Sequence, residues 1–389
     1  MNDDLLTTAA SRRAFVRTLA LGAGGTLLLP AALAEAQSTR KLGVALLGLG
    51  KYSSGQLAPA LQQTKYCRLA GVVTGSPDKA KQWQQQYSLA AKNCYDYKTF
   101  DRIADNPDID IVYVVTPNAL HAEYAVRAAQ AGKHVICEKP MATTVADCQR
   151  MIAASQKAGK QLSIGYRLHF EPHNQEMMRL GQTEAYGRLT HLASDNAFKF
   201  KPGSDTPWRV EKSLAGGGPL MDMGIYCLQG CLYTKGQVPV SVTAKFNANP
   251  DPQLFKNVEA GIDWQLRFAD GATADCHTSY AESLPGRLHA EAGSNWFELQ
   301  PAFGYGGLAG RTSKNDGKLN LPNPNQQAAQ MDDFAQCILQ NKPTRVPGEM
   351  GLRDVQLLLA IYRAAESGQP VATTDVPKLI DRTQVAGGR

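Results

Sequence analysis

Three short stretches place glycine or polar residues directly behind apolar runs. They are Gly48-Leu49-Gly50 after 44–47, Thr116-Pro117-Asn118 after 109–115, and Glu138-Lys139-Pro140 after 134–137. Open parallel sheets bind ligands beyond the carboxyl ends of their strands, so the three read as parts of one binding edge. Gly48 and Gly50 permit a tight turn and let a pyrophosphate approach backbone N–H groups at a helix N-terminus. Lys51 and Tyr52 continue the turn, and Ser53 stands where a third fingerprint glycine is usual. The next strand, 67–75, runs out through Val73-Thr74-Gly75-Ser76 without the Asp or Glu that would hold a ribose 2′-hydroxyl. Lys51, Lys79 and Lys81 are close by in sequence. A missing acid beside cations predicts NADP rather than NAD as the cofactor. Lys139, at a strand end, stands where the chemistry would occur.

The elements that must carry these residues follow from periodicity. The continuous apolar run 44–47 is expected of a strand buried on both faces, and 109–115 reads as a further strand. Leu57 and Leu61 share a helical face behind the glycine turn. A second helix is expected from near Ala119, packing through Ala122, Ala125, Val126 and Ala129 and ending at Gly132. After Gly165 the pattern changes to alternation over 240–248, 260–281 and 287–300, with Asp270-Gly271 as a hairpin signal. A C-terminal helix over 351–367 clusters Val355, Leu358, Leu359, Ile361 and Tyr362 on its apolar side, with Gly368 as its stop and Pro370 beyond. The polar segment 308–327 reads as a loop.

The 389 residues suffice for two domains with ample core, and 43% hydrophobic against 20% charged residues is a globular balance. The net charge of +6 is scattered, with no basic run interleaved with aromatics, so nucleic acid is not an expected partner. No CxxC pair occurs among the eight cysteines. Cys227 and Cys231 fall on one helical face and read as buried free thiols. His169 and His173 have the i, i+4 spacing of a metal pair but no third ligand, so no metal is expected. The N-terminus reads as a signal. Arg12, Arg13 and Arg17 precede an apolar, glycine-rich run over 18–29, and small-x-small sites end at Ala34 or Ala36. The Ser-Arg-Arg-x-Phe-Val order, Ser11 to Val16, is that of a twin-arginine signal. Residues 1–36 are therefore expected to direct export of the folded protein to the periplasm, leaving no membrane anchor after cleavage.

The stretches GLGKY, TPNALHAEYAVRAAQAGKHV, EKPMATTVADCQRMI, GYR-x-H and AGGGPLMDMGIY together resemble the Gfo/Idh/MocA oxidoreductases. Within that family the likeness is greatest to the bacterial glucose–fructose oxidoreductases. It rests on GLGKY, on GYR-x-H-[FY]-[DE]-P-x-N over Gly165 to Asn174, and on D-x-G-I-Y over Asp222 to Tyr226. The resemblance implies an α/β fold: a Rossmann NADP-binding domain over 37–163, then an α+β domain over 164–389 with a large, open, mainly antiparallel sheet. The second domain would bind substrate and form a homo-oligomer. The implied chemistry is hydride transfer between NADP and sugars. Tyr226 would be the acid/base, Lys139 would supply the ammonium that stabilises charge on its hydroxyl, and Asp222, four residues earlier, would orient sugar hydroxyls. Asn118, His121 and Glu138 would lie near the nicotinamide ribose, and Arg167, Trp208 and Arg209 would approach cofactor or sugar. Gly216 to Gly218 reads as a packing turn.

Free NADP is not expected outside the cytoplasm, so an exported enzyme would carry and recycle its own. The expectation is a periplasmic enzyme that oxidises a glucose-like aldose to its lactone and reduces a fructose-like sugar on the same bound cofactor, by a ping-pong scheme. The alternatives are a conventional NADP-dependent sugar dehydrogenase and a non-catalytic sugar or nucleotide sensor. The glucose–fructose oxidoreductases also have a long arm after the signal that covers the adenine end of the cofactor, whereas here almost nothing separates Ala36 from the first strand at about Leu42.

Overall fold

The computed structural model describes residues 40–378 apart from 205, 315 and 316. The twin-arginine stretch and both cleavage sites lie outside the described residues.

Six parallel strands form the first sheet: β1 (Leu42–Leu47), β2 (Cys67–Val73), β3 (Cys94–Tyr95), β4 (Ile111–Val114), β5 (His134–Cys137) and β6 (Leu162–Ile164). Their order, β3-β2-β1-β4-β5-β6, reverses between β1 and β4. That reversal opens a crevice at the carboxyl ends of the two central strands. All six residues of β1 and all four of β4 are buried, as their unbroken apolar runs require. The helix His121–Gln130 buries Ala122, Ala125 and Ala129 against the sheet, with Val126 half-buried at the margin, and Gly132 follows at φ +73°.

The second sheet has nine strands in the order β14-β13-β12-β11-β7-β10-β9-β8-β15. In chain order they are β7 (His191–Ala197), β8 (Ser241–Phe246), β9 (Gly261–Arg267), β10 (Thr273–Ser279), β11 (Leu284–Ala292), β12 (Asn295–Leu299), β13 (Gly310–Thr312), β14 (Lys318–Leu319) and β15 (Val371–Ala372). Every pairing is antiparallel except β7 with β10. The expected hairpin joins β9 to β10, with Gly271 at φ +89°. In β9, Ile262, Trp264 and Leu266 are buried while Asp263, Gln265 and Arg267 face outward, so one side of the sheet is packed and the other polar. The packed side carries the helices Ile225–Lys235 and Gly348–Ser367. The latter buries Val355, Leu358 and Ile361 and leaves Leu359 and Tyr362 half-buried. Cys227 and Cys231 are buried free thiols.

The segment 308–327 is not the plain loop its composition suggests. Its backbone adds β13 to the edge of β12, where Gly310 and Thr312 are buried, and β14 to β13. At its end begins the helix Gln326–Leu339, which crosses back to the first sheet. Met331, Phe334 and Ala335 pack there with Leu42, Val44 and Leu46, and Asp332 accepts hydrogen bonds from the backbone N–H groups of Lys65 and Tyr66.

Candidate active site

The glycine turn shows why its residue types are needed. Gly48 has φ +99°, and a Cβ there would lie 2.6 Å from the Val115 carbonyl oxygen. A Cβ on Gly50 would meet no protein atom within 4 Å, so its absence leaves the space above the turn clear. Ser53 is fully buried and its hydroxyl donates to the Gly48 carbonyl at 2.6 Å, bracing the turn from within. The helix behind it opens with a π-helical turn, Ser53–Leu57, before Ala58–Leu61; Leu57 and Leu61 are buried as expected. Thr74 lies at the end of β2, and the N–H of Lys79 donates to Ser76 in the first turn of the next helix. No carboxylate follows β2 until Asp78. These residues fit a dinucleotide lying along the turn.

A cleft of about 1160 Å³ runs from this turn to the second sheet. All the candidates line it: Gly48, Leu49, Gly50, Lys51, Tyr52, Thr74 and Lys79 toward one end, and Thr116, Asn118, His121, Glu138, Lys139, Arg167, Trp208, Arg209, Asp222 and Tyr226 along the rest. The Asn118 amide donates to the Ala215 carbonyl at 2.8 Å and so ties the β4 end to the short helix Lys212–Ala215. His121 is fully buried, with its ring nitrogens 2.9 Å from the Pro140 and Thr116 carbonyls, so it braces the ends of β4 and β5. Burial holds it below the usual histidine range.

At the far end of the cleft Lys139 Nζ donates to the Asp222 carbonyl at 2.6 Å and to its Oδ1 at 3.3 Å. The same ammonium lies 4.6 Å from the centroid of the Tyr226 ring. Asp222 sits in a π-helical turn, Leu220–Gly224, that leads into the helix bearing Tyr226, so both side chains reach the cleft. Arg209 Nε donates to Asp222 Oδ2 at 2.8 Å, and Tyr280, just past β10, donates to the same oxygen at 2.9 Å. Arg209 in turn lies over Trp208, 4.8 Å from its ring centroid. Burial would raise the Asp222 carboxyl, but Arg209 and Lys139 outweigh it and hold the group well below the usual carboxylate range. Burial would likewise lower Lys139, yet Tyr226, Asp222 and Glu138 raise it above its ordinary value, so it stays an ammonium. Glu138 is buried and accepts from the Tyr113 hydroxyl at 2.7 Å; burial raises its carboxyl.

Because the native Asp222 is shifted down, the stability it contributes is complete above the unfolded carboxylate value of about 4. It is lost as pH falls from there toward the native value. In urea titrations Asp222→Asn should therefore unfold earlier than the parent at neutral pH, and the gap should narrow below about pH 4. A gap that stays constant would mean the cations do not hold the carboxylate.

Arg167 is buried, and besides lining the cleft it bonds to backbone. It donates to the Phe303 carbonyl at 2.6 Å and the Gly304 carbonyl at 3.0 Å, and also to the Gln326 side chain. Its guanidinium lies 5.1 Å from the Tyr226 ring centroid, and Phe303 stacks on Tyr226 with centroids 6.0 Å apart. Phe303, Tyr305, Tyr280 and Tyr113 thus belong to the site or its support, and none was marked in the sequence. The run Ala302-Phe303-Gly304-Tyr305-Gly306-Gly307, in which two aromatics alternate with glycines, is the signal in the sequence that could mark this loop. Gly217 and Gly218 are packing positions: a Cβ would fall 2.0 Å from the Tyr362 hydroxyl and 2.4 Å from the Glu259 carbonyl oxygen, respectively. His173 pairs with Glu171 at 2.7 Å and His169 stacks on Tyr166, and among the described residues no group of three or more His, Cys, Asp or Glu could hold a metal.

Fold and cleft define an oxidoreductase of the dinucleotide-binding kind, and the comparisons agree. Residues 42–166 match the Gfo/Idh/MocA oxidoreductase family, NAD-binding Rossmann fold, and residues 174–294 match the C-terminal domain of the same family. The chain belongs to this family. Its particular relatives include a solved structure of an aldose-aldose oxidoreductase from Caulobacter crescentus complexed with glycerol. That chain is 44% identical, with a TM-score of 0.82, covering 86% of this chain and 100% of the other. A D-xylose 1-dehydrogenase [NADP(+)] of Haloarcula marismortui is 26% identical over 84% of this chain and 92% of its own length. A 1,5-anhydro-D-fructose reductase of Ensifer adhaerens is 28% identical over 69% and 81%.

Proposed function

We propose that this protein is an exported, NADP-containing sugar oxidoreductase. It oxidises a glucose-like aldose to its lactone and reduces a second sugar, fructose-like or another aldose, at the same site with the same retained cofactor. The observation that carries the reading is the convergence of Lys139, Asp222 and Tyr226 at one end of a cleft whose other end is the glycine turn. The likeness to an aldose-aldose oxidoreductase supports two sugars as the reactants, and the absence of an acid at the end of β2 supports NADP. The Arg12-Arg13 stretch supports export.

Gly48, Gly50, Thr74 and Lys79 would hold the nucleotide, with Asn118 and Glu138 toward its nicotinamide end. NADP, when bound, supplies the hydride-transfer chemistry. The protein's residues manage the proton and the sugar. Tyr226 takes the proton from the aldose hydroxyl in the first half-reaction and gives one to the carbonyl oxygen of the second sugar. Lys139 and Arg167, both beside the ring, stabilise the negative charge that develops on its hydroxyl. Asp222 is fixed by Arg209 and Tyr280, which leaves it rigid enough to orient a sugar hydroxyl. Oxidised sugar must leave before the second enters, which gives ping-pong kinetics.

The likeness to a D-xylose 1-dehydrogenase favours a second reading, an enzyme that releases its cofactor at each turnover. Cofactor content separates the two. Protein purified without added nucleotide and then denatured should release NADP into the supernatant in amounts approaching one per chain. Release of NAD, or of no nucleotide from freshly folded protein, would contradict the proposal.

A further inference from the structure

Tyr305 is half exposed, yet it is not a loose surface side chain. Its ring lies 5.8 Å from that of Tyr52 at 31°, and the buried Arg167 guanidinium sits 4.6 Å from its centroid. Tyr52 belongs to the glycine turn, whereas Tyr305 comes from the loop between β12 and β13. Their contact therefore crosses the cleft between the turn and the Lys139–Tyr226 end.

The loop is held firmly on both sides of this residue. Before it, Asn174 donates to the Ala302 carbonyl at 3.3 Å, Arg167 to Phe303 and Gly304, and Gln326 Nε2 to Gly304 at 3.0 Å. After it, the Leu308 N–H donates to Asn323 at 3.0 Å. Between the anchors, Gly306 and Gly307 face open space: a Cβ on either would meet nothing within 4 Å, and Gly307 has φ +67°. Tyr305 and these two glycines are the exposed residues between the anchors. The motif Gly165 to Asn174 supplies two of the anchors, Arg167 and Asn174.

We infer that Tyr305 is a latch. By packing its ring against that of Tyr52 it closes the middle of the cleft over a dinucleotide lying along the glycine turn, and it must swing away before that dinucleotide can leave. The inference rests on the cofactor reading proposed above. It gives the protein a means of retaining a nucleotide that uses its own loop. Packing alone does not account for an aromatic ring 50% exposed on a loop whose backbone is so heavily anchored. The face of the ring does the work, through aromatic and cation–π contacts, so the hydroxyl is dispensable.

The test is the rate at which NADPH leaves the folded protein, followed by its fluorescence after loading and dilution into excess NADP. Tyr305→Gly and Tyr52→Leu should each release NADPH about tenfold faster than the parent, the loss expected for one ring contact. Tyr305→Phe should stay within about threefold. The double variant should be no faster than the faster single one, because both remove the same contact. Thermal midpoints without nucleotide show that each variant is folded. A change of less than about threefold in Tyr305→Gly, equal acceleration in Tyr305→Phe, or additive effects in the double variant would each overturn the latch while leaving the cofactor reading intact. A parent protein that binds no NADPH would overturn both.

Discussion

Tyr226→Phe should lose about 10²–10⁴-fold in turnover, the usual contribution of a general acid–base group, and keep both fold and bound nucleotide. The substitution removes only the hydroxyl. The ring can still stack on Phe303 and keep its contacts with the Lys139 ammonium and the Arg167 guanidinium. Both half-reactions should slow together, because the same hydroxyl takes the proton in one and returns it in the other. Single-turnover measurements with aldose alone and with the second sugar alone would show this. A loss below about tenfold in the chemical step would assign the proton to another group.

Lys139→Met should cost about 10²–10³-fold, the effect of deleting one charged or hydrogen-bonding stabiliser of developing negative charge. Asp222 keeps Arg209 and Tyr280 as partners, so its position should survive the change. The loss should therefore fall on kcat more than on the KM for sugar. Lys139→Arg should rescue little, since the longer planar group cannot place one donor on both the Asp222 carbonyl and Oδ1 beside the Tyr226 ring. Turnover within about tenfold of the parent would show that the ammonium is not needed beside the tyrosine.

Where side chains are uniform in character, the sequence already declares the element. β1 and β4 are unbroken apolar runs because both faces are buried, and the helix Gly348–Ser367 shows its period because one side packs on a sheet. β7 is not legible in the sequence. Two of its inward residues are Ser194 and Asn196, so the alternation that marks a half-buried strand is hidden. The helix Gln326–Leu339 was missed for a related reason: it buries Gln326, Gln327 and Gln330 along with Met331 and Phe334, and Gln330 bonds the Tyr113 hydroxyl. The residues at the strand ends were legible because topology confines ligands to that edge. Tyr280 follows β10 and Phe303 and Tyr305 lie between β12 and β13, and no spacing connects them to Lys139 or Tyr226. Arg167, which the sequence places toward cofactor or sugar, lines the cleft and also holds the loop carbonyls of Phe303 and Gly304.

The central claim is that one retained cofactor serves two sugars. Purified protein, with no nucleotide added, is mixed with an aldose such as glucose and a second sugar such as fructose or another aldose, and lactone and alditol are both quantified. The account predicts equal amounts of the two products over many turnovers, parallel double-reciprocal plots, and a single turnover when aldose is supplied alone with no second sugar able to be reduced. Turnover that appears only when NADP is added, with lactone formed and no alditol, would contradict it.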